Sequence, residues 1–183
     1  MKKTLSFILE VTKIIVIALA IVIPIRYLLF QPFIVKGQSM EPNFFNGDYL
    51  IIDELSYRLR PPQRGEIIVF DSPFDPSSRY IKRIIGLPGE TVEIKNEAVI
   101  IYSSDDNYQT LDETKYLPED IQTAGDLKVT LNNNEYFVLG DNRLVSYDSR
   151  KFGPLLKEAI IGRVYLRAWP FDLLDKIETP IYQ

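Results

Sequence analysis

The chain has 183 residues, of which 46% are apolar and 25% are charged, and its formal net charge is −4. This length suffices for one modest core plus one further element and argues against two full domains. Residues 1–30 carry a net charge of +3, so residues 31–183 carry −7. An acidic body lacks the basic face that phosphate contacts need, which argues against a nucleic-acid partner.

The sequence contains neither cysteine nor histidine. Disulfides and thiolate metal sites are therefore excluded, although an extracytoplasmic location is not. A serine nucleophile would need a base other than imidazole, and a neutral lysine is the natural alternative. The acidic residues are dispersed or paired with arginines, so no metal or organic cofactor is predicted.

An apolar run at residues 14–30 is the candidate membrane anchor. A helix from Leu5 to Phe30 would be roughly 39 Å long and could cross a hydrocarbon layer of about 30 Å. A cleavable secretory signal is the alternative, but no small-x-small cleavage site follows the run. Residues 1–30 are thus predicted to be a cytoplasmic tip and an uncleaved single span. The early lysines favour an N-terminus inside the cell and a body outside the cell membrane.

The remainder, residues 31–183, is predicted to be a mostly β body. Its predicted strands combine β-branched or aromatic residues with turn residues on at least one side. They are residues 33–36, 49–53, 66–71, 80–85, 91–94, 98–102, 136–139 and 162–169. Residues 103–134 are polar, and we expect them to form a smaller inserted lobe, because structureless loops of that length are uncommon.

Ser39 lies in the segment Gly37-Gln38-Ser39-Met40-Glu41-Pro42, directly after the first predicted strand. At the junction of a strand and a turn, free backbone N–H groups can bind an oxyanion, which suits a nucleophile. A turn or capping serine is the alternative interpretation of this residue alone.

Lys82 lies in a predicted strand, where alternate residues share a face. It shares a face with Tyr80 and Ile84, whereas Ile81 and Arg83 point the other way. Burial between apolar neighbours can lower a lysine pKa by about 3–5 units, which would supply a general base. The alternative is a lysine whose stem packs on the sheet while its amine reaches water.

A third motif, residues 140–150, interleaves acidic and basic residues with amides and hydroxyls directly after an apolar strand. This composition predicts a hydrogen-bonded, ion-paired loop that supports a site, with a solvated loop as the alternative.

Taken in order, these motifs closely resemble the bacterial type I signal peptidases, particularly the compact, single-span forms of Gram-positive bacteria. The resemblance covers residues 31–169, and residues 103–134 match none of its motifs. It rests on the anchor, Ser39-Met40-x-Pro42, Arg64-Gly65-Glu66-Ile67-Ile68-Val69-Phe70, Tyr80-Ile81-Lys82-Arg83, Gly86-Leu87-Pro88-Gly89-Glu90, Gly140-Asp141-Asn142-Arg143, Ser146, Asp148, Ser149 and Arg150.

The resemblance implies a β catalytic domain of the Ser/Lys protease fold behind one N-terminal transmembrane helix. It implies Ser39 as the nucleophile, Lys82 as the general base and Ser146 as the residue that orients the lysine amine. Some members place an oxyanion-binding hydroxyl two positions before the nucleophile, but this chain has Gly37 there. The implied supporting residues are Asp141, Arg143, Asp148 and Arg150.

The implied substrates are secreted preproteins cut after small-x-small motifs, bound as an added strand with alternate side chains in shallow pockets. Membrane lipid and a nearby secretion translocon are the other implied partners. The candidate pocket residues are Phe33, Val35, Gly37, Met40, Tyr80 and Ile81.

Three alternatives remain. A self-cleaving Ser/Lys repressor would need a DNA-binding segment in place of the anchor. An inactive, membrane-tethered module would bind peptides without cutting them. A purely structural surface protein would leave the ordered motifs unexplained.

Overall fold

The computed structural model describes residues 2–28, 30–75, 77–104, 107–180 and 182. Side chains are described for residues 7–20, 31–75, 77–103, 107–180 and 182. The described chain is mostly β, as the sequence predicts. Its helices are α1 (Lys2–Leu28), α2 (Ser56–Leu59) and α3 (Ser149–Phe152), with short 3₁₀ turns at Lys157–Ala159 and Phe171–Leu173.

Eight strands form the main sheet, in the spatial order β1-β2-β11-β3-β4-β9-β10 with β12 pairing β11, and all pairs are antiparallel. The bounds are β1 (Phe30–Ile34), β2 (Tyr49–Asp53), β3 (Ile67–Asp71), β4 (Arg79–Gly86), β9 (Glu135–Leu139), β10 (Leu155–Leu156), β11 (Ile160–Trp169) and β12 (Asp175–Lys176). Nearly continuous burial along β3 and β4 places these strands at the centre of the body.

A smaller antiparallel sheet has the order β7-β6-β5-β8. Its strands are β5 (Thr91–Lys95), β6 (Ala98–Ser104), β7 (Asn107–Thr110) and β8 (Leu127–Thr130). The segment 103–134, expected as an inserted lobe, thus contributes β7 and β8 to a sheet whose other strands precede it.

Three apolar clusters hold the sheets together. One packs Met40 and Phe44 against β2 and β3, which fixes the turn after β1 onto the sheet. A second joins the two sheets through residues such as Ile85 and Phe137. The third covers the other face of β3 and β4. Because side chains alternate along β4, Ile81 belongs to the first cluster and Ile84 to the third.

The prediction ended the first helix at Phe30 and began the first strand at Phe33. In the structure α1 ends at Leu28, and Phe30 already pairs with Asp53. The two boundaries differ because the sequence prediction takes Pro32 as the break between helix and strand, whereas Pro32 lies within β1. β1 is an edge strand, where proline is tolerated because one side of the strand needs no N–H donor.

A helix can form without being able to cross a membrane, so the bounds of α1 do not by themselves establish the predicted span. In the parts of the chain that the structure describes, no helix meets the length and apolarity needed to span a bilayer. Residues 21–30, which belong to the predicted span, lie outside the described side chains.

Candidate active site

Ser39 lies in the turn segment, residues 35–48, that connects β1 to β2. The turn is closed by backbone hydrogen bonds between Val35 and residues Gly47 and Asp48, and Met40 and Phe44 anchor it in the core. Gly37 has φ of +86°, a left-handed conformation that glycine adopts without strain. The turn therefore presents the Ser39 hydroxyl beside the sheet, partly exposed.

Lys82 meets this serine from the central strand β4. Its amine Nζ lies 2.7 Å from Ser39 Oγ and donates to the carbonyl oxygen of Ile81 at 2.8 Å. Lys82 is only 4% exposed. Ser39 and Lys82 are 43 positions apart in sequence and meet only through the fold. The structure thus brings together the two residues that the motifs predict as nucleophile and base.

The environment of Lys82 favours the neutral amine. Burial lowers the pKa of Lys82 to about 8, while the carboxylates of Asp148 and Asp141 act in the opposite direction. About a tenth of the amine is therefore unprotonated at pH 7, far more than for an ordinary lysine, and this neutral form can accept a proton from Ser39.

The N–H of Ser39 itself is a candidate donor for an oxyanion. The N–H of Gly37 is engaged with Asn46 Oδ1 at 3.0 Å. The N–H of Ser39 donates no hydrogen bond within the described part of the chain. This leaves the Ser39 N–H available to negative charge that develops on a substrate oxygen.

The supporting loop, residues 140–150, is an ion-paired structure directly behind the turn. Asp141 accepts two hydrogen bonds from Arg83, at 2.8 and 2.7 Å, and both residues are buried. Arg150 pairs with Asp148, whose carboxylate also accepts the Gly140 N–H. Burial raises the pKa of Asp148, but the hydrogen bond and charge of Arg150 outweigh this and hold the pKa below its usual range.

The described residues do not show the hydrogen bond expected of Ser146. The resemblance implies a hydrogen bond from Ser146 to the lysine, but the Lys82 amine contacts Ser39 and Ile81 instead. Ser146 Oγ is buried and has no partner with hydrogen-bond geometry among the described residues, although it lies near enough to Asp148 to help lower the pKa of that carboxyl. The hydroxyl is tucked against Gly140, where an added Cβ would overlap it.

A cavity of about 690 Å³ opens beside Ser39 and Lys82. Of the predicted pocket residues, Phe33, Gly37, Tyr80 and Ile81 line it. Val35 and Met40 do not, because both point into the core behind the turn. The sequence interpretation missed other lining residues, among them Ile34, Lys36, Arg79, Val145 and Tyr147.

The sequence interpretation also missed several partners of the loop. Arg83 was placed only by its face of the strand, and Glu113, Tyr116 and Asn43 were not singled out. Asn43 donates to Asp141 Oδ2 at 2.8 Å, and Glu113 pairs with Arg143 at 2.6 Å. Only the adjacency of Arg83 to Lys82 gave a signal. Among the described residues, no group of three or more metal-ligating side chains is placed to hold an ion.

Comparison with known proteins identifies the family. The family model described as "Signal peptidase, peptidase S26" matches residues 8–169. The chain belongs to the signal peptidase family. Members of this family remove signal peptides from preproteins, and the chain is accordingly a serine endopeptidase of that class.

Individual signal peptidases are similar to the chain over most of its length. A "Probable signal peptidase I-2" of Synechocystis sp. is 39% identical, covering 88% of this chain and 73% of that protein. A "Signal peptidase I P" of Bacillus subtilis subsp. natto is 36% identical, covering 93% and 94%. A crystal structure of a signal peptidase I from Enterococcus faecalis V583 is 33% identical, with a TM-score of 0.47, covering 57% and 97%.

Proposed function

We propose that this signal peptidase cleaves preproteins after small-x-small motifs, with Ser39 as nucleophile and Lys82 as general base. The observation that carries the proposal is the 2.7 Å contact between the serine hydroxyl and a buried amine. Burial lowers the pKa of that amine to about 8, so the base is available at physiological pH.

In the proposed reaction the neutral Lys82 amine takes the proton of Ser39 Oγ as the oxygen attacks the scissile carbonyl. The Ser39 N–H donates to the oxyanion of the tetrahedral intermediate. Lys82 then gives its proton to the leaving amine of the mature protein, which leaves an acyl-enzyme. Water attacks the ester by the reverse route, with Lys82 again accepting a proton and returning it to Ser39.

Two unpaired strand edges support binding of an extended peptide. β1 pairs only with β2, and the Arg79–Lys82 half of β4 pairs only with β3 in the described structure, because pairing with β9 begins at Arg83. A signal-peptide end that adds to these edges would place alternate side chains towards the cavity wall. Phe33, Tyr80 and Ile81 contribute apolar surface to that wall, which suits small apolar side chains.

The deciding experiment is cleavage of a preprotein with an Ala-x-Ala junction by the purified full chain in detergent. We expect Ser39→Ala and Lys82→Met to abolish cleavage while remaining folded. Matched changes away from the site, Ser103→Ala and Lys95→Met, should leave cleavage unchanged. An inert parent protein that still binds the peptide would instead support the tethered binding module, and an active Lys82→Met variant would remove the lysine base.

We also propose that α1 anchors the chain in the cell membrane as a single span, with a cytoplasmic N-terminus and the secretion translocon nearby. Every described side chain of α1, at residues 7–20, is exposed, and most are apolar, which supports burial in lipid. The proposal predicts that the full chain stays in membranes washed with alkaline carbonate. Release into the wash would contradict it. Protease added from outside the cell should digest the body and spare an N-terminal tag.

A further inference from the structure

The segment 111–123 connects the smaller sheet to the turn that carries Ser39, residues 35–48. Both of its ends are tied to the β5–β6 hairpin, since Leu111 N–H donates to Val99 O at 2.8 Å and Thr123 N–H donates to Glu97 O at 3.0 Å. Leu117 and Thr123 are buried. The segment is thus a fixed strap, and its Glu113 and Thr123 side chains contact Arg143 of the loop 140–150.

Glu113 of this strap forms a two-point ion pair with Arg143. Arg143 Nη1 and Nη2 donate to the two carboxylate oxygens at 2.7 and 2.6 Å, and Nη1 also contacts Thr123 Oγ1. The Arg143 side chain is 0% exposed. Because an unpaired guanidinium would be costly at this depth, Arg143 depends on the Glu113 carboxylate. The two-point pair also fixes the guanidinium in one orientation.

Arg143 transmits this constraint to Ser39. Its Nε donates to Gly140 O at 3.0 Å, which fixes the start of the loop 140–143. In the same loop Asn142 N–H donates to the carbonyl oxygen of Ser39 at 3.1 Å. A Cβ at Gly140 would overlap the Ser39 carbonyl, so loop and nucleophile are in direct contact.

A second route leads from the strap to the same turn. The Tyr116 ring stacks on the guanidinium of Arg83 at 4.0 Å, and Tyr116 O accepts from Asn43 Nδ2 at 2.7 Å. Asn43 lies in the turn just after Ser39 and also donates to Asp141. The Tyr116 hydroxyl donates to Glu113 at 2.5 Å, which joins the two routes.

We propose that Glu113 is a positioning residue for catalysis, which holds Ser39 in register with Lys82 through Arg143 and the loop 140–143. The inference rests on the proposed Ser39 and Lys82 mechanism and adds to it a function for the strap. Glu113 contacts neither member of the dyad. Its effect is therefore on the rate of the chemical step more than on peptide binding.

The test compares kcat and KM of the full chain and Glu113→Gln on the same preprotein, at a temperature where both are fully folded by circular dichroism. We expect kcat to fall about tenfold to hundredfold with KM changed little, because small misplacements of reacting groups cost that much. Glu113→Asp, which keeps the carboxylate, should recover part of the lost kcat.

The smaller sheet offers a matched control. Glu93 is as buried as Glu113, at 14% against 15% exposed, and pairs with Lys128 and Tyr102 away from the loop 140–143. Glu93→Gln should keep the parent kcat. If Glu113→Gln lowers the melting temperature but keeps the parent kcat, Glu113 is only structural and the inference is wrong.

If Glu113→Gln does not fold, Glu113→Asp decides the matter, since it keeps a charge for Arg143 but shortens the reach of the carboxylate that holds the guanidinium at two points. A several-fold loss of kcat supports the inference, and an unchanged kcat overturns it. Ser39→Ala separates the two proposals. An active Ser39→Ala variant would overturn the dyad itself, whereas an inactive one beside a fully active Glu113→Gln would overturn only the positioning of Ser39 by Glu113.

Discussion

Lys82 and Arg83 are neighbours in β4, yet their side chains hold the turn that carries Ser39 from opposite faces of the strand. Lys82 contacts the hydroxyl of Ser39, and Arg83 reaches Asp141, which in turn accepts a hydrogen bond from Asn43. The two-residue period of a strand thus places the Lys82 amine and the Arg83 guanidinium on opposite faces. The proposed base and a buried ion pair therefore originate from one short stretch of chain.

The first prediction concerns pH. Because Lys82 must be neutral to accept a proton and its pKa is lowered to about 8, kcat/KM should rise about tenfold per pH unit below 8 and level off above it. The measurement is kcat/KM for one preprotein between pH 6 and 10. A rate that does not change across this range would rule out Lys82 as the base.

The second prediction concerns stability. The folded pKa of Lys82 lies below its ordinary 10.5, so the unfolded chain binds a proton more readily and low pH destabilises the fold. Relative to Lys82→Met, the parent should gain stability as the pH rises from 8 to 10.5, by roughly 3 kcal/mol at most. Urea denaturation of both proteins at pH 7 and at pH 10.5 measures this difference. A pH-independent difference would contradict the lowered pKa.

The third prediction concerns the buried ion pair. Asp141→Asn leaves the buried Arg83 without a full counter-charge and should destabilise the protein by about 3–5 kcal/mol. The same change at Asp71, whose pair with Arg79 is nearly half exposed, should cost at most about 1 kcal/mol. Denaturant titration of the two variants provides the comparison. Equal losses would mean that burial does not set the strength of the Arg83 pair.

The fourth prediction concerns Gly140. A Cβ at this position would overlap Ser146 Oγ and the Ser39 carbonyl oxygen, so Gly140→Ala should displace the nucleophile and lower kcat about 10²-fold. Gly89 provides the contrast, because its Cβ would meet no atom within 4 Å, although its φ is +82°. Gly89→Ala should cost about 1–2 kcal/mol of stability without loss of kcat. A fully active Gly140→Ala variant would show that the loop can move away from Ser39.

Several elements were predictable from sequence because their patterns are local. The strand β2 has the predicted bounds, and β4 and β9 extend one residue beyond theirs at one or both ends. The strands β7 and β8 were missed, because Asn107–Thr110 is exposed throughout and Leu127–Thr130 buries no residue fully. Their pairing depends on the apolar strands β5 and β6, so a period-based prediction cannot find them.

The residues of the site likewise fall into those with a local sequence signal and those without one. The sequence predicts Ser39 and Lys82 as site residues because each lies in a characteristic segment and the chain has no histidine or cysteine, and the structure places them in contact. Glu113 had no such signal, since its partner Arg143 is 30 residues away and its segment is mostly polar, with several other acidic residues. Val35 and Met40 were misplaced as pocket residues, because apolar side chains next to a nucleophile suit a core as well as a cleft.

The unpaired edge of β1 also affects whether copies of the protein associate when no peptide is bound. Free N–H and C=O groups on an edge strand also recruit other chains, and a long apolar edge promotes aggregation. Here Pro32 removes one donor in the middle of the strand, and the exposed Lys36 adds a charge just beyond its end. The interval open to pairing is therefore short, which suits a brief encounter with one peptide and discourages two copies of the body from joining edge to edge.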